Sequence, residues 1–274
     1  MRIAIQGFEG CFHQIAAQGY YGKHTTIEAC ASFAELVKKV KTEKTVDAGI
    51  MAIENSIAGS ILPNYTLLKN SGLHVTGEIY LQIKQNLMVL PGQTINDIRE
   101  VHSHPMALLQ CIQFLEKYPH IKLVETEDTA LSAKNVRTKK LKSTAAIAGK
   151  LAAEIYELDI IAPNIQTEKN NYTRFLAISK IPVAPTADAN KASVYFETDH
   201  RIGSLAKVLT SIADAGINLS KLQSFPIPAK QWNYYFLADM EFNDLAHFEK
   251  AKASLLPLVP GLKVLGIYQK GETK

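Results

Sequence analysis

Arg2-Ile3-Ala4-Ile5-Gln6-Gly7-Phe8-Glu9-Gly10-Cys11-Phe12-His13 carries a short apolar strand straight into a turn with two glycines. Phe12 to Tyr21 then has helical character, so the chain opens as strand, turn and helix. The pattern repeats outward from there. Thr26 to Ala29 and Val46 to Ile53 read as further strands, with Phe33 to Val40 as a helix between them. His102 to Lys117, Thr129 to Lys140 and Gly149 to Glu157 have helical spacing. Val101, Lys122 to Glu125, Ala145 to Ala148 and Ile160 to Ile161 supply strand candidates. Alternation of this kind predicts an α/β fold with a mainly parallel sheet covered by helices. The extended stretch from Leu73 to Leu90 breaks the repeat. It reads as a connection between two lobes, with a cleft between them of the kind that holds ligands.

Pro182-Val183-Ala184-Pro185-Thr186-Ala187-Asp188-Ala189-Asn190 is rich in proline and small residues, and proline removes backbone donors, so a sheet should stop here. Beyond it the order changes. Lys191 to Thr198, Ile217 to Phe225, Asn233 to Glu241 and Leu262 to Tyr268 read as strands, with helices at Ser204 to Ala215 and Leu245 to Leu256. That order, βαββαβ, is the ferredoxin-like arrangement. Gly216 stands where a helix C′ residue should be. The resulting division is a two-lobed domain over 1–180, a linker over 181–190 and a smaller domain over 191–274.

Composition narrows the function classes. A chain of 274 residues suggests two or three compact units, and a hydrophobic fraction of 47% is enough to build their cores. The net charge of +4 comes from interspersed residues. The densest basic run, Arg137-Thr138-Lys139-Lys140-Leu141-Lys142, reads as a solvated helix end, so no nucleic-acid partner is expected. Cys11, Cys30 and Cys111 are odd in number and contain no CxxC pair, which argues against a disulfide framework and a structural zinc site. The N-terminus lacks a signal-peptide pattern, and no apolar run approaches the roughly 20 residues of a membrane span. The expectation is a soluble cytoplasmic protein without a membrane partner.

Four segments could carry chemistry. Gly7 to His13 could offer amides to an anion at a helix start, or be a tight turn; it matches neither a P-loop nor a dinucleotide fingerprint. Ile53-Glu54-Asn55-Ser56-Ile57-Ala58-Gly59-Ser60-Ile61 clusters polar groups after an apolar strand, where α/β sheets place ligands, although Asn55 or Ser56 could equally be a helix cap. In Val101-His102-Ser103-His104-Pro105 a strand end meets a helix, with Pro105 suited to the first helical position. No cluster of further ligands supports a metal there. Asn171-Tyr172-Thr173-Arg174-Phe175 opens the apolar strand Leu176 to Ser179, and Arg174 either holds a carboxylate or lies exposed at the strand mouth.

Taken together and in order, these segments resemble the monofunctional prephenate dehydratases over almost the whole chain. The family pattern is a GPxGTFS-like opening, PIENS with a short Gly-containing loop, SHP, NxTRF and then an ACT domain. Ile53 to Ser56 with Gly59, Ser103-His104-Pro105, and Asn171 with Thr173-Arg174-Phe175 carry the match, and Ala145 to Ala148 with Ala152-Ala153 also resembles a family segment. The departures are Phe8 for proline, Cys11 for threonine or serine, His13 for serine, and Ala52 for the proline before Ile53.

The resemblance implies a catalytic domain like periplasmic-binding-protein type II, followed by an ACT regulatory domain, and the reaction prephenate to phenylpyruvate with loss of water and carbon dioxide. It assigns Thr173 to the leaving hydroxyl. Arg174 is expected to anchor a carboxylate, with one condition: in a regular strand it points to the face opposite Thr173 and Phe175, so the backbone there must be irregular or at the strand's end. Asn55 and Ser56 complete the expected catalytic set. Glu54, Gly59, Ser103, His104, Asn171 and Phe175 are expected substrate contacts. Neither metal nor organic cofactor is required.

In the ACT-like part, Gly203-Ser204-Leu205 resembles a Gly-Ala-Leu segment and Asn218-Leu219 also matches, while Gln223-Ser224-Phe225-Pro226 stands for Glu-Ser-Arg-Pro with two charges removed. Gly203, Ser204, Leu205, Asn218, Leu219, Gln223 and Ser224 are therefore the expected site for L-phenylalanine as effector. A homodimer or homotetramer is expected. Arogenate dehydratase and a non-catalytic amino-acid sensor are the rival readings, and no chorismate mutase segment is expected before Met1.

Overall fold

The opening strand forms as its sequence reads. In the computed structural model, which describes residues 1–227 and 232–272, β1 (Arg2–Gln6) pairs in parallel with β2 (Thr26–Cys30) and β3 (Ala48–Asn55). Helices α1 (Phe12–Tyr21) and α2 (Phe33–Thr42) connect them. Ser32 Oγ caps α2 by accepting from Glu35 N at 3.2 Å, and Leu36, Val37 and Val40 form its buried stripe. The short β4 (Gly59–Ser60) folds back on β3, and α3 (Leu62–Ser71) follows.

The stretch read as one extended connection is two strands in different sheets. β5 (His74–Gln82) closes the first sheet, of order β2-β1-β3-β11-β5, where β11 is Tyr172–Ser179. β6 (Asn86–Val89) enters a second sheet with β7 (Glu100–Ser103), β8 (Lys122–Glu125), β9 (Thr144–Ala148) and β10 (Asp159–Ala162), in the order β10-β6-β9-β7-β8. Here the expectation of a mainly parallel sheet needs correction. β7 is parallel to β8 and β9, but β6 runs antiparallel to both β9 and β10. The cause is that β6 arrives directly from the first sheet rather than through a crossover helix.

The helical reading of His102 to Lys117 is also corrected. His102 and Ser103 belong to β7, and helix α4 (Pro105–Gln110) starts only after His104, whose Nδ1 accepts from Met106 N at 3.2 Å. Pro105 takes the first helical position because its missing N–H is not needed there. A break at Cys111 separates α4 from α5 (Ile112–Leu115). Helices α6 (Thr129–Thr138) and α7 (Lys150–Tyr156) follow β8 and β9.

Contacts divide the chain into two units. One holds Met1–Leu67 and Ile79–Phe175; the other holds Leu68–Glu78 and the residues from Leu176 to Glu272. The second unit contains β12 (Lys191–Glu197), α8 (Ser204–Asp214), β13 (Asn218–Pro226), β14 (Tyr234–Glu241), α9 (Leu245–Leu255) and β15 (Lys263–Tyr268). Its antiparallel sheet has the order β13-β14-β12-β15, the split βαβ topology expected from the element order. Alternation sorts its faces. Ala192, Val194, Phe196, Ala238 and Met240 pack against Val208, Ile212, Phe248 and Leu255 of the helices. The opposite face carries Lys191, whose Nζ lies 3.0 and 3.1 Å from the two carboxylate oxygens of the fully buried Glu78.

Candidate active site

Thr173 and Asn55 come together at the mouth of the first sheet. Asn55 ends β3 and Thr173 sits at the start of β11, which lies beside β3. Asn55 Nδ2 donates to Thr173 Oγ1 at 3.0 Å, to Asn171 Oδ1 at 2.7 Å and to Tyr172 O at 3.2 Å. Its orientation is fixed from the other side, because Oδ1 accepts the N–H groups of Ile57 and Ala58 at 3.0 and 2.9 Å. Thr173 Oγ1 is therefore an acceptor toward Asn55, and its own proton points elsewhere.

Ser56 laces the same loop to β11. Its N–H donates to Tyr172 O at 2.8 Å, its Oγ donates to Asn170 O at 3.1 Å, and that Oγ accepts from Tyr172 N at 2.9 Å. Glu54 and Gly59 flank the turn in the β3–β4 hairpin, and Gly59, at φ +80° with open space around its α-carbon, needs its glycine for conformation rather than for packing. Asn171 is fully buried, holds Asn55, and leaves its own Nδ2 without a partner.

The remaining expected contacts fall in three places. Phe175 follows Thr173 on the same face, buried against the His13 ring at 5.0 Å. Arg174 follows Thr173 near the start of β11, where strand alternation turns its side chain to the opposite face, and it is 4% exposed. For it to share a ligand directly with Thr173 the backbone would have to be irregular or at the strand's end, and Arg174 is the third residue of β11. Ser103 is fully buried, and its Oγ donates to Ile147 O at 2.7 Å, tying β7 to β9; His104 caps α4.

The opening loop meets the helices of the second sheet. Gly10 has φ +89°, and a Cβ there would lie 2.9 Å from the Ala152 α-carbon; a Cβ on Gly149 would lie 3.1 Å from the Phe12 ring. Tyr156 donates its hydroxyl to Glu9 O at 2.8 Å. The glycines thus serve close packing against α7. Asp128 caps α6 through Leu131 N at 2.8 Å, and burial raises its carboxyl pKa. Burial pushes the Cys11 and Cys111 thiols up to about 12 and Cys30 to about 11, so none of them is a thiolate nucleophile near neutral pH. Among the described residues no group of His, Cys, Asp and Glu could hold a metal ion, and no helix is long and apolar enough to cross a membrane.

In the second unit, Ser204 and Leu205 line a cavity of about 370 Å³ with residues 198–202, Asn233, Tyr234 and Phe236. Gly203, at φ +81°, is the N-cap of α8. Asn218, Leu219, Gln223 and Ser224 lie instead along the edge strand β13 and do not line that cavity.

Sequence reasoning met His13 only as a departure within the opening segment and did not single out Asn64. Their signal was residue type: a histidine where the family pattern has serine, and an asparagine fully buried on α3.

The fold and this hydroxyl-centred site define a two-sheet α/β domain in which Asn55 and Thr173 meet at the mouth of the first sheet. Residues 3–182 match the family model described as prephenate dehydratase. A bifunctional chorismate mutase/prephenate dehydratase of Aquifex aeolicus is 34% identical over 274 residues, covering 98% of this chain and 74% of that protein. The arogenate dehydratase/prephenate dehydratase 2 of Arabidopsis thaliana is also 34% identical, covering 98% and 72%. Among solved structures, GqqA, described as a novel type of quorum quenching acylase, has a TM-score of 0.89 and 28% identity over 98% of both chains. The prephenate dehydratase of Arthrobacter aurescens in complex with L-Phe has a TM-score of 0.88 at 24% identity, covering 98% of this chain and 90% of that one, and speaks to the fold. The chain belongs to the prephenate dehydratase family, whose reaction is that of a carbon–oxygen lyase.

Proposed function

We propose that the chain converts prephenate to phenylpyruvate through a threonine hydroxyl aimed by an asparagine. The observation that carries this reading is the 3.0 Å bond from Asn55 Nδ2 to Thr173 Oγ1. With that lone pair occupied, the Thr173 O–H is left to donate to the departing ring hydroxyl. As the C–O bond breaks, the electrons of the ring-carboxylate C–C bond enter the ring. Carbon dioxide leaves, the hydroxide takes a proton to become water, and Thr173 recovers its proton from solvent. Aromatisation drives the step, so a positioned donor suffices where a tuned acid would otherwise be needed.

In this reading Asn55 and Thr173 touch the chemistry, Ser56 and Gly59 shape the loop that carries Asn55, and Glu54 and His104 are polar contacts for the substrate. The buried Asn171 and Phe175 hold the platform from behind, while Ser103 fastens β7 to β9 in the second sheet. Arg174 adds positive potential from the far face of β11, where low dielectric extends its reach.

The division into a catalytic domain over 1–180, a linker over 181–190 and a regulatory domain over 191–274 fits the absence of helix and strand between Ser179 and Lys191. The two sheets, joined by the segments around Gln85 and Gln166, support lobes of the periplasmic-binding-protein type II kind. The βαββαβ unit is read as an ACT domain. Its cavity beside Ser204 and Leu205, with Phe236 and Tyr234 as aromatic walls, suits L-phenylalanine as effector, the amino acid with which the Arthrobacter aurescens enzyme is in complex. A cytoplasmic homodimer or homotetramer is the proposed working form.

The test is phenylpyruvate formation from prephenate and from arogenate, by wild type and Thr173→Ala, with and without phenylalanine. Loss of about 10²–10⁴-fold in a folded Thr173→Ala variant is expected. An unimpaired variant sinks the mechanism, and faster turnover of arogenate moves the substrate assignment.

A further inference from the structure

Two departures from the family pattern face each other in the fold. Ala52 stands where the pattern has proline, and His13 where it has serine. Proline has no N–H, so alanine restores a backbone donor. It does so where β3 has run past its ladder with β1, which pairs Ile3 with Ala48 through Ile5 with Ile50. Ala52 is 4% exposed, and a buried N–H needs an acceptor. It finds one in His13 Nε2 at 3.4 Å. The carbonyl of the same residue accepts from Asn64 Nδ2 at 2.7 Å. Side chains from α1 and α3 therefore grip this point of β3 on both polar groups.

The imidazole reaches the second strand of the site as well. It packs edge-on against Phe175 with centroids 5.0 Å apart, and against Phe33 at 5.4 Å. Ala52 precedes Asn55 by one short strand segment, and Phe175 follows Thr173 on the same face. One ring thus touches both strands that deliver the catalytic pair.

We propose that His13 is a positioning residue for Asn55 and Thr173, and that it forms a compensating pair with Ala52. The imidazole accepts the N–H that proline would lack and fixes the relative height of β3 and β11. Since Nε2 accepts, the ring proton sits on Nδ1. Burial lowers the His13 pKa to about 3, so the ring stays a neutral acceptor at working pH.

A double-mutant cycle tests this with the full chain: His13→Ser, Ala52→Pro and the two together. Each protein is read by kcat and KM on prephenate and by thermal midpoint. His13→Ser should lower kcat about tenfold or more, with KM changed far less, since small misplacements of catalytic groups are costly. Ala52→Pro alone should also be impaired, because its ring would press on Nε2. The double variant should return to within about threefold of wild type, a coupling that independent sites would not show. His13→Gln, whose side-chain oxygen can accept the same N–H, should recover most of the lost kcat. Losses that simply multiply, or a His13→Ser enzyme with wild-type kcat, overturn the pairing. The activity arm rests on the dehydratase reading. The thermal arm does not, and additivity of the midpoints refutes the pair whatever the substrate proves to be.

Discussion

Asn55→Asp is the sharpest perturbation of the proposed site, because it changes one group and reverses one proton. The new carboxylate keeps both acceptor contacts, from Ile57 N and Ala58 N at 3.0 and 2.9 Å. It removes the donor that now serves Thr173 Oγ1, Asn171 Oδ1 and Tyr172 O. The Thr173 hydroxyl then donates toward the carboxylate and turns away from the ligand. Stability should fall by about 1–3 kcal/mol, the cost of leaving a buried acceptor unpaired. The cost is held down because Asn171 can flip its amide and offer its unpartnered Nδ2 to the carboxylate. The kcat loss should be about 10²–10³-fold, the scale of one preorganised donor. Steady-state phenylpyruvate formation on protein whose fold is checked by circular dichroism measures it. Because the two groups act as a unit, Asn55→Asp combined with Thr173→Ala should be no slower than the worse single variant. A folded Asn55→Asp enzyme within tenfold of wild type, or losses that multiply in the double variant, would falsify the claim that Asn55 aims the threonine proton.

Three further outcomes follow from packing and charge. Lys191→Met strands the buried Glu78 carboxylate, which keeps the Gly271 N–H at 3.0 Å but loses its cation, and should cost about 3–5 kcal/mol by urea unfolding; adding Glu78→Gln should recover much of it. Gly10→Ala meets both a left-handed backbone at φ +89° and the Ala152 α-carbon at 2.9 Å, so the opening loop should shift, costing about 1–3 kcal/mol; an unchanged thermal midpoint would contradict the close packing on α7. The depressed pKa of His13, about 3 against an ordinary 6.5, means that the unfolded chain takes up its proton first. Its contribution is complete above about pH 6.5 and drains away toward pH 3, by about 2–4 kcal/mol, less than the full shift implies because the ring keeps some surface. His13→Ser should flatten this part of the stability profile.

The parts of the fold visible in the sequence are those set by neighbours along the chain. The βαββαβ unit could be read element by element because each segment has a clear period and Gly216, at φ +71°, ends α8 where only glycine is comfortable. The antiparallel setting of β6 could not be read, since a strand's alternation says which face is buried and nothing of direction. Helix α3 was passed over for a related reason. Its buried face is Asn64, Tyr65, Leu68 and Ser71, half of it polar, so hydropathy gives no stripe to detect.

The site divides along the same line. The family resemblance singled out Asn55 and Thr173, yet the bond that gives them a joint role spans 118 positions and exists only once β11 lies beside β3. The same distance hides compensation. Met separately, His13 and Ala52 are two unexplained departures, each weakening a motif. Only when α1 is laid against β3 does one become the answer to the other, an acceptor restored where a donor has been restored. Arg174 shows the converse. It matches its motif without departure, and strand alternation near the start of β11 still turns its side chain to the face away from Thr173. Agreement with a pattern therefore locates a residue in the chain, and the strand on which it sits decides what that residue can reach.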